Sequence, residues 1–182
     1  KIESGIQLHC PDSDLPEDEN NLVFQAAKKF METSKAHQLG DKTGVAITLN
    51  KSIPVAAGLG GGSSDAATVL KGLNQLFATG CTENELLAMG ASLGSDVPFF
   101  VVDTPVCWAT GIGEQLSPSR PLLGYHIVVV NPGYSVSTPW VYDKFALTVG
   151  KNINNLKSLQ NLDADCDLRQ VFSKRSIRPD EL

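Results

Sequence analysis

The chain has 182 residues, of which 42% are hydrophobic and 19% are charged, and its 15 Lys and Arg against 20 Asp and Glu leave a formal net charge of −5. A chain of this size and composition can bury one sizeable core, and it lacks the basic run that nucleic-acid binding requires, so neither disorder nor a nucleic-acid partner is expected. No apolar run approaches the roughly 20 residues that cross a bilayer, and the first residues lack the apolar core of a secretion signal. We therefore expect a soluble, intracellular protein without a membrane partner.

The four cysteines form no Cys-x-x-Cys pair, and the three histidines are equally scattered. Clustered ligands at short spacing are the usual sign of a metal centre or a redox motif. We therefore expect reduced, mostly packed thiols and no metal site formed by the protein alone.

The first part of the chain predicts a strand, a helix and a second strand. Ile6 and Leu8 alternate with polar residues, and because the chain opens inside this strand without Met, we expect a missing N-terminal portion. After an acidic loop at residues 11–19, Asn20 or Asn21 can cap a helix. Residues 45–50 then alternate as a half-buried strand. The apolar residues of the helix recur at helical spacing and are Leu22, Val23, Ala26, Ala27, Phe30 and Met31.

A glycine-rich segment at residues 54–64 directly follows the second strand and precedes a helix. Residues without Cβ can curl tightly and bring their amides close to phosphate oxygens, and the N-terminus of the next helix adds unpaired N–H groups and the positive end of its dipole. The segment therefore predicts an anion site that needs no Lys or Arg, in which we include Pro54, Val55, Ala56, Ala57, Gly58, Leu59, Gly60, Gly61, Gly62, Ser63 and Ser64.

Three other interpretations fit the residues of this segment less well. A flexible linker would seldom lie between a strand and an Ala/Leu-rich helix. The P-loop requires a Lys directly after its last glycine, and the dinucleotide fingerprint requires a third glycine where Ser63 stands.

The following elements are predicted from caps and periodicity. A helix should begin near Ser63 or Ser64 and end before Gly80, and a Thr-x-x-Glu capping box at residues 82–85 should start another that Gly94 stops. The apolar runs at 97–102, 106–109 and 126–131 are interpreted as strands, and residues 138–145 could start a further helix. The buried face of the helix after the glycines should carry Ala66, Ala67, Leu70, Leu73 and Leu76.

Three carboxylates are candidates for chemistry. Asp96 lies at a polar point after a helix, where the residue pattern by itself favours a turn or cap aspartate over a catalytic base. Asp65 lies in the first turns of the helix after the glycines, where we expect it to point away from any phosphate. Glu114 follows a glycine turn and is interpreted as structural rather than as a magnesium ligand.

The segment Gly-Leu-Gly-Gly-Gly-Ser-Ser-Asp-Ala-Ala at 58–67, preceded by Pro54, resembles the phosphate-binding motif of the GHMP kinase superfamily. Further agreement comes, in order, from residues 21–23, 93–98, 109–114, 131–133 and 137–139. The resemblance implies an α/β (α+β) chain with the GHMP kinase fold. Its N-terminal ATP-binding domain, of the ribosomal protein S5 domain 2-like type, would occupy residues 1–125, and residues 126–182 would begin a C-terminal α/β domain; each would be incomplete.

What the resemblance implies about chemistry is specific. Asp96 would be the catalytic base, ATP would bind the glycine-rich segment with Mg²⁺, and Thr138 and Tyr142 would bind the acceptor. The acceptor would be 4-diphosphocytidyl-2-C-methyl-D-erythritol, whose hydroxyl is phosphorylated in isoprenoid biosynthesis. The family's Lys-bearing first strand is absent from these residues. The alternatives are another GHMP small-molecule kinase and, for these residues alone, a nucleotide-binding module without catalysis; either a monomer or a homodimer is compatible with the sequence.

Overall fold

A computed structural model describes residues 4–33, 43–102 and 104–119, together with 126, 128–130, 133 and 140. Four strands and four helices occur in these residues, which makes the chain a mixed α/β protein, as expected. No helix in the described part is long and apolar enough to span a membrane. In chain order the elements are β1 (Ile6–His9), α1 (Leu22–Met31), β2 (Val45–Thr48), α2 (Gly61–Phe77), α3 (Glu83–Leu93), α4 (Val97–Val101), β3 (Cys107–Thr110) and β4 (Gln115–Pro118).

The first two strands are parallel neighbours. Ile6 pairs with Val45 and His9 with Thr48, and the pairing continues beyond β2 because the Leu49 N–H donates to the His9 carbonyl at 2.8 Å. Parallel strands require a crossover connection, and α1 provides it here. The chain therefore leaves β2 at the strand end from which the glycine-rich segment starts.

The helices begin at the residues whose side chains can cap them. Asn21 precedes α1, and its Oδ1 accepts from the Val23 N–H at 2.9 Å. Thr82 and Glu85 form the predicted capping box of α3, with the Glu85 carboxylate accepting from the Thr82 N–H at 2.7 Å. Both predictions are confirmed, since capping depends on residues close in sequence.

The core lies between α1, α2, α3 and α4. Helix α1 packs against α2, and α4 packs against both α2 and α3. Alanines on the facing sides of α1 and α2 let the two backbones approach closely around the larger side chains. The residues with no exposed surface include Ala26, Ala27, Phe30, Ala66, Ala67, Leu70 and Val97.

Three predictions about these elements are wrong. Residues 97–101 form a helix rather than a strand, because Pro98 is favourable in a first helical turn and the buried Val97 packs close to Gly90 of α3. Leu76 is 46% exposed and Phe77, at 6%, occupies the buried face instead. The described residues within 126–131 are not in a strand.

Other boundaries differ only slightly from expectation. Helix α2 begins at Gly61, earlier than Ser63, and ends at Phe77 before Gly80. The predicted strand at 106–109 is confirmed as β3, which pairs with β4 in an antiparallel hairpin. Within 138–145 the structure describes Trp140, which is helical.

Candidate nucleotide site

A cavity of about 470 Å³ lies beside the glycine-rich segment. We call the segment at residues 54–63 the glycine wall, and the residues that face it from the acidic loop and the start of α1 the loop wall. Between the walls lie Leu49, Lys51, Asp65 and Asp96. The loop wall consists of Leu15, Pro16, Asn20, Asn21, Leu22 and Val23.

The glycine wall is shaped by left-handed backbone conformations. Gly58 has φ 71° and Gly60 has φ 66°, values that cost an L-residue with a side chain about 1–2 kcal/mol. Ala56 nevertheless has φ 55°, which places strain in this loop. A Cβ at Gly60 would lie 2.8 Å from Cζ of Phe100, so two independent constraints require glycine at this position.

Helix α2 points its N-terminus at the cavity. Its first hydrogen bond runs from the Ser64 N–H to the Gly60 carbonyl at 2.8 Å, so the amides of residues 61–63 precede the repeating pattern. Gly61, Gly62 and Ser63 all line the cavity. Free amides and the positive end of a helix dipole form an anion site, which is the property predicted for this segment.

Ser64 is placed differently from the other residues of the predicted segment. It lines a separate shallow depression with Thr68, Lys71 and Phe100, and its carbonyl accepts from the Thr68 hydroxyl at 2.8 Å. The hydroxyl that faces the cavity is therefore that of Ser63.

Lys51 is a cavity residue that the sequence reasoning missed. Its ammonium forms an ion pair with the Asp65 carboxylate, and its side chain is only 8% exposed. Among the described residues that line the cavity, Lys51 is the only lysine or arginine. The expectation that Asp65 would point away is also wrong, since Asp65 lines the same cavity and is held by this lysine.

Asp96 precedes α4 at the N-cap position without capping it. No hydrogen bond runs from this side chain to the α4 amides, and the Ser95 hydroxyl lies 3.4 Å from Asp96 Oδ1. The exposed carboxylate lines the cavity together with the glycine wall. A carboxylate within reach of an anion-binding loop is the arrangement needed to orient or deprotonate an acceptor hydroxyl.

The loop wall is held by hydrogen bonds to two side chains. The buried Asn21 donates from Nδ2 to the Pro16 carbonyl at 2.8 Å while its Oδ1 caps α1. Glu17 Oε1 accepts from the Cys10 N–H at 2.6 Å and lies 2.8 Å from His9 Nδ1. The hydrogen bond from the Cys10 N–H has the largest effect in lowering the pKa of Glu17, and the hydrogen bond with His9 lowers it further. Burial raises the pKa of the Cys10 thiol.

The remaining candidates lie away from this cavity. Glu114 accepts from the Ile112 N–H at 2.8 Å and stabilises the β3–β4 turn, consistent with the structural role predicted for it. Thr138 and Tyr142 lie outside the described residues. No group of three or more potential metal ligands occurs in the described parts of the chain, where Cys10, Cys81 and Cys107 are free thiols.

The chain resembles known proteins over much of its length. Residues 21–104 match the family model described as the GHMP kinases N terminal domain. A 4-diphosphocytidyl-2-C-methyl-D-erythritol kinase from Syntrophus aciditrophicus is 50% identical over 149 residues, covering 82% of this chain and 51% of the relative. One from Desulfotalea psychrophila is 45% identical over 152 residues, covering 84% and 50%.

A crystal structure of a 4-(cytidine 5'-diphospho)-2C-methyl-D-erythritol kinase matches with a TM-score of 0.56 and 35% identity, over 79% of this chain and 48% of that one. The chain thus spans about half the length of the relatives that it matches. The matched family region, 21–104, includes the glycine wall, Lys51, Asp65 and Asp96.

Proposed function

We propose, because residues 21–104 match the family model described as the GHMP kinases N terminal domain, that this protein transfers the γ-phosphate of ATP to the free hydroxyl of 4-diphosphocytidyl-2-C-methyl-D-erythritol. This reaction would be a step of isoprenoid biosynthesis. The relatives that carry this substrate in their names support the choice of acceptor. The observation that carries the proposal is that the N-terminal residues of α2 and Asp96 line the same cavity.

The glycine wall would bind the phosphates of ATP. The helix end and the amides of residues 61–63 offer a fixed positive potential, and Gly58, where a Cβ would meet nothing within 4 Å, leaves space for phosphate oxygens. Fixed dipoles that face a phosphoryl group stabilise the charge of its transition state without reorganising during the reaction. The role of the wall is thus to hold ATP so that its γ-phosphate is directed towards Asp96.

Asp96 would act as the general base. The acceptor hydroxyl oxygen forms a bond to the γ-phosphorus, the bond from that phosphorus to the β–γ bridging oxygen breaks, and ADP leaves while the hydroxyl proton passes to the Asp96 carboxylate. Because this side chain does not cap α4 and only Oδ1 has the Ser95 hydroxyl beside it, Oδ2 can approach a substrate.

We also propose that Mg²⁺ arrives with ATP. In kinase sites this ion is bound mainly through substrate phosphates and one or two carboxylates, and its chemistry is to neutralise charge that develops on the phosphates. Ser63 lines the cavity, and its hydroxyl would fit such an ion.

The remaining assignments rest on the family resemblance. Residues 1–125 would form the nucleotide-binding domain, and residues 126–182 would begin a second domain in which Thr138 and Tyr142 contact the acceptor. A tyrosine there could stack on the cytosine ring through its face. On the same basis we propose a cytoplasmic location for the protein.

A coupled ADP-release assay on the full-length protein tests the proposed function. We expect turnover with 4-diphosphocytidyl-2-C-methyl-D-erythritol and little with homoserine or mevalonate. Turnover of either of those alcohols in preference to the cytidyl substrate would assign the protein to another GHMP activity. ATP binding measured by calorimetry, without turnover of any acceptor, would reduce the proposal to a nucleotide-binding module.

A further inference from the structure

Building on the proposed function, we propose that Lys51 contributes a positive charge to phosphate binding and that Asp65 is a positioning residue that holds its ammonium. The two residues lie fourteen positions apart and join the chain after β2 to the first turns of α2. They therefore connect the two elements that enclose the glycine wall.

Burial makes the ion pair a defined feature of the site. The Lys51 side chain is 8% exposed and that of Asp65 is 26% exposed. Withdrawing an ammonium from water is costly unless a partner of opposite charge takes over its solvation. The Asp65 carboxylate is that partner, so Lys51 is held at one place in the cavity rather than sampling solvent.

The Lys51 ammonium is held at the N-terminus of α2. A Cβ on Gly61, the first residue of α2, would lie 2.9 Å from Lys51 Nζ. The ammonium thus adds its charge to the point at which the helix amides and dipole already favour an anion. Without an anion these like charges repel one another; Asp65 offsets the repulsion in the empty cavity, and bound phosphates would offset it further.

The same geometry is compatible with a second role for Lys51, which predicts a different ATP affinity for the double variant. Lys51 could serve only to neutralise Asp65, whose unpaired carboxylate would otherwise repel phosphates. In that case removal of both charges would leave ATP binding intact. If Lys51 interacts with the phosphates itself, removal of both charges would still weaken binding.

The experiment is a set of calorimetric titrations on the full-length protein with ATP, ADP, AMP and adenosine. The variants are Lys51→Met, Asp65→Asn and the double variant, with Lys71→Met as the control because Lys71 is an exposed lysine of α2 outside the cavity. We expect Lys51→Met to weaken ATP binding roughly tenfold to a hundredfold, the range of a charge-assisted hydrogen bond. The loss should shrink from ATP to adenosine, and the double variant should not recover wild-type affinity.

Asp65→Asn tests whether Asp65 positions the Lys51 ammonium for ATP binding or takes part in phosphoryl transfer. Lys51 keeps its charge in this variant but loses its fixed partner, so the KM for ATP should rise by less than in Lys51→Met while kcat changes little. A fall in kcat with unchanged KM would contradict a positioning role. Asp65→Glu, which retains the charge, should recover part of the affinity.

Gly61→Ala provides a second perturbation in case Lys51→Met does not fold. The new Cβ would lie 2.9 Å from the Lys51 ammonium and 3.0 Å from Ile53 Cγ2 while both charges remain, whereas Gly62→Ala meets only Leu22 Cδ2 at 4.0 Å. We expect Gly61→Ala to weaken ATP binding more than Gly62→Ala does; equal effects would contradict the inference.

Three outcomes of the calorimetric titrations with Lys51→Met and the double variant would also overturn the inference. They are wild-type ATP affinity in Lys51→Met, full recovery in the double variant, and a loss as large for adenosine as for ATP. Each leaves the proposed kinase activity standing, because wild-type protein would still bind ATP and turn over its acceptor. Failure of the wild-type protein to bind ATP would overturn both proposals.

Discussion

The two walls of the cavity are built from different interactions. The glycine wall is shaped by left-handed backbone at Ala56, Gly58 and Gly60, and the Lys51–Asp65 ion pair lies beside it at the N-terminus of α2. The loop wall is held by side chains that bond the backbone, chiefly Asn21 to Pro16 and Glu17 to Cys10. One wall exposes polar groups to a ligand, whereas the other satisfies its polar groups internally.

This difference predicts how substitutions divide between function and stability. Changes in the glycine wall and at Asp96 should act mainly on nucleotide affinity or turnover, because those groups face the cavity. Changes in the loop wall should act mainly on the free energy of unfolding, since a lost internal hydrogen bond leaves its partner unsatisfied. Measurements of both quantities on the same variants can contradict the division.

The largest effect is expected for Asp96→Asn. An amide cannot accept the acceptor's proton, and a positioned general base typically contributes 10²- to 10⁴-fold, so we expect kcat to fall by roughly that factor. ATP affinity and the free energy of unfolding should change little, since the side chain caps no helix. Steady-state kinetics of the full-length protein with the cytidyl substrate, together with urea unfolding, measure these quantities.

Glu83→Gln is the matched control for this variant, because Glu83 is exposed at the start of α3, away from the cavity. Its kcat should equal that of the wild-type protein. If Asp96→Asn instead lost ATP affinity and retained kcat, Asp96 would be a nucleotide-binding or Mg²⁺-binding group and not the base.

The next largest effect is expected for Gly60→Ala. The left-handed φ costs alanine about 1–2 kcal/mol, and its Cβ would meet the Phe100 ring at 2.8 Å. Since the glycine wall should shift to relieve this contact, we expect at least roughly tenfold weaker ATP binding, the effect of about 1.4 kcal/mol. Calorimetric titration with ATP measures the change.

Gly58→Ala separates the two causes. Gly58 has a similar φ of 71°, but a Cβ there would meet nothing within 4 Å. Its loss of affinity should therefore be smaller, with the difference reporting the Phe100 contact. Equal losses for the two variants would show that backbone strain alone limits the wall.

Sequence reasoning found the features whose signals are local. The Asn21 cap, the Thr82 capping box and the strand, glycine segment and helix in succession each depend on neighbouring residues, so spacing was enough to predict them. Helix α4 was missed because its apolar run resembles a strand, while its conformation follows from packing against α2 and α3. Propensity is overridden there by tertiary contacts.

The site was predicted only in part for the same reason. The glycine wall is one continuous segment, whereas the pairing of Lys51 with Asp65 joins residues fourteen positions apart across a strongly bent backbone. The available signal was a lysine three residues before the glycine-rich segment, whereas the P-loop pattern places its lysine after the glycines. The fold had to be known before that lysine could be assigned to the cavity.

A smaller effect is expected for Asn21→Ala in the loop wall. Loss of the α1 cap should lower the free energy of unfolding by about 1–2 kcal/mol, and the buried amide's bond to the Pro16 carbonyl is lost with it. Thr82→Ala is matched to it, because it removes a cap of similar worth from α3 outside the cavity. Urea unfolding should give the larger loss for Asn21→Ala, because only this variant also loses a buried hydrogen bond.

ATP titration of the same two variants tests whether the loop wall also shapes the cavity. Asn21 lines the cavity and Thr82 does not, so only Asn21→Ala should weaken ATP binding, and only by a few-fold. An equal loss of affinity in Thr82→Ala would mean that global stability, and not the wall, limits binding.

The smallest effect is expected at Glu17, where it should depend on pH. The Cys10 N–H, and then His9, hold the Glu17 pKa below its ordinary value of 4.5, so the charged form is favoured in the folded state. The stabilisation is therefore present above about pH 4.5 and is lost as the pH falls through the lowered pKa. Glu17→Gln should be less stable than the wild-type protein at neutral pH, and the difference should shrink as the solution is acidified below that value. Urea unfolding between pH 7 and pH 3, with the exposed Asp12→Asn of the same loop as control, measures it; a difference that stays constant across this range would show that the Glu17 charge does not hold the loop wall in place.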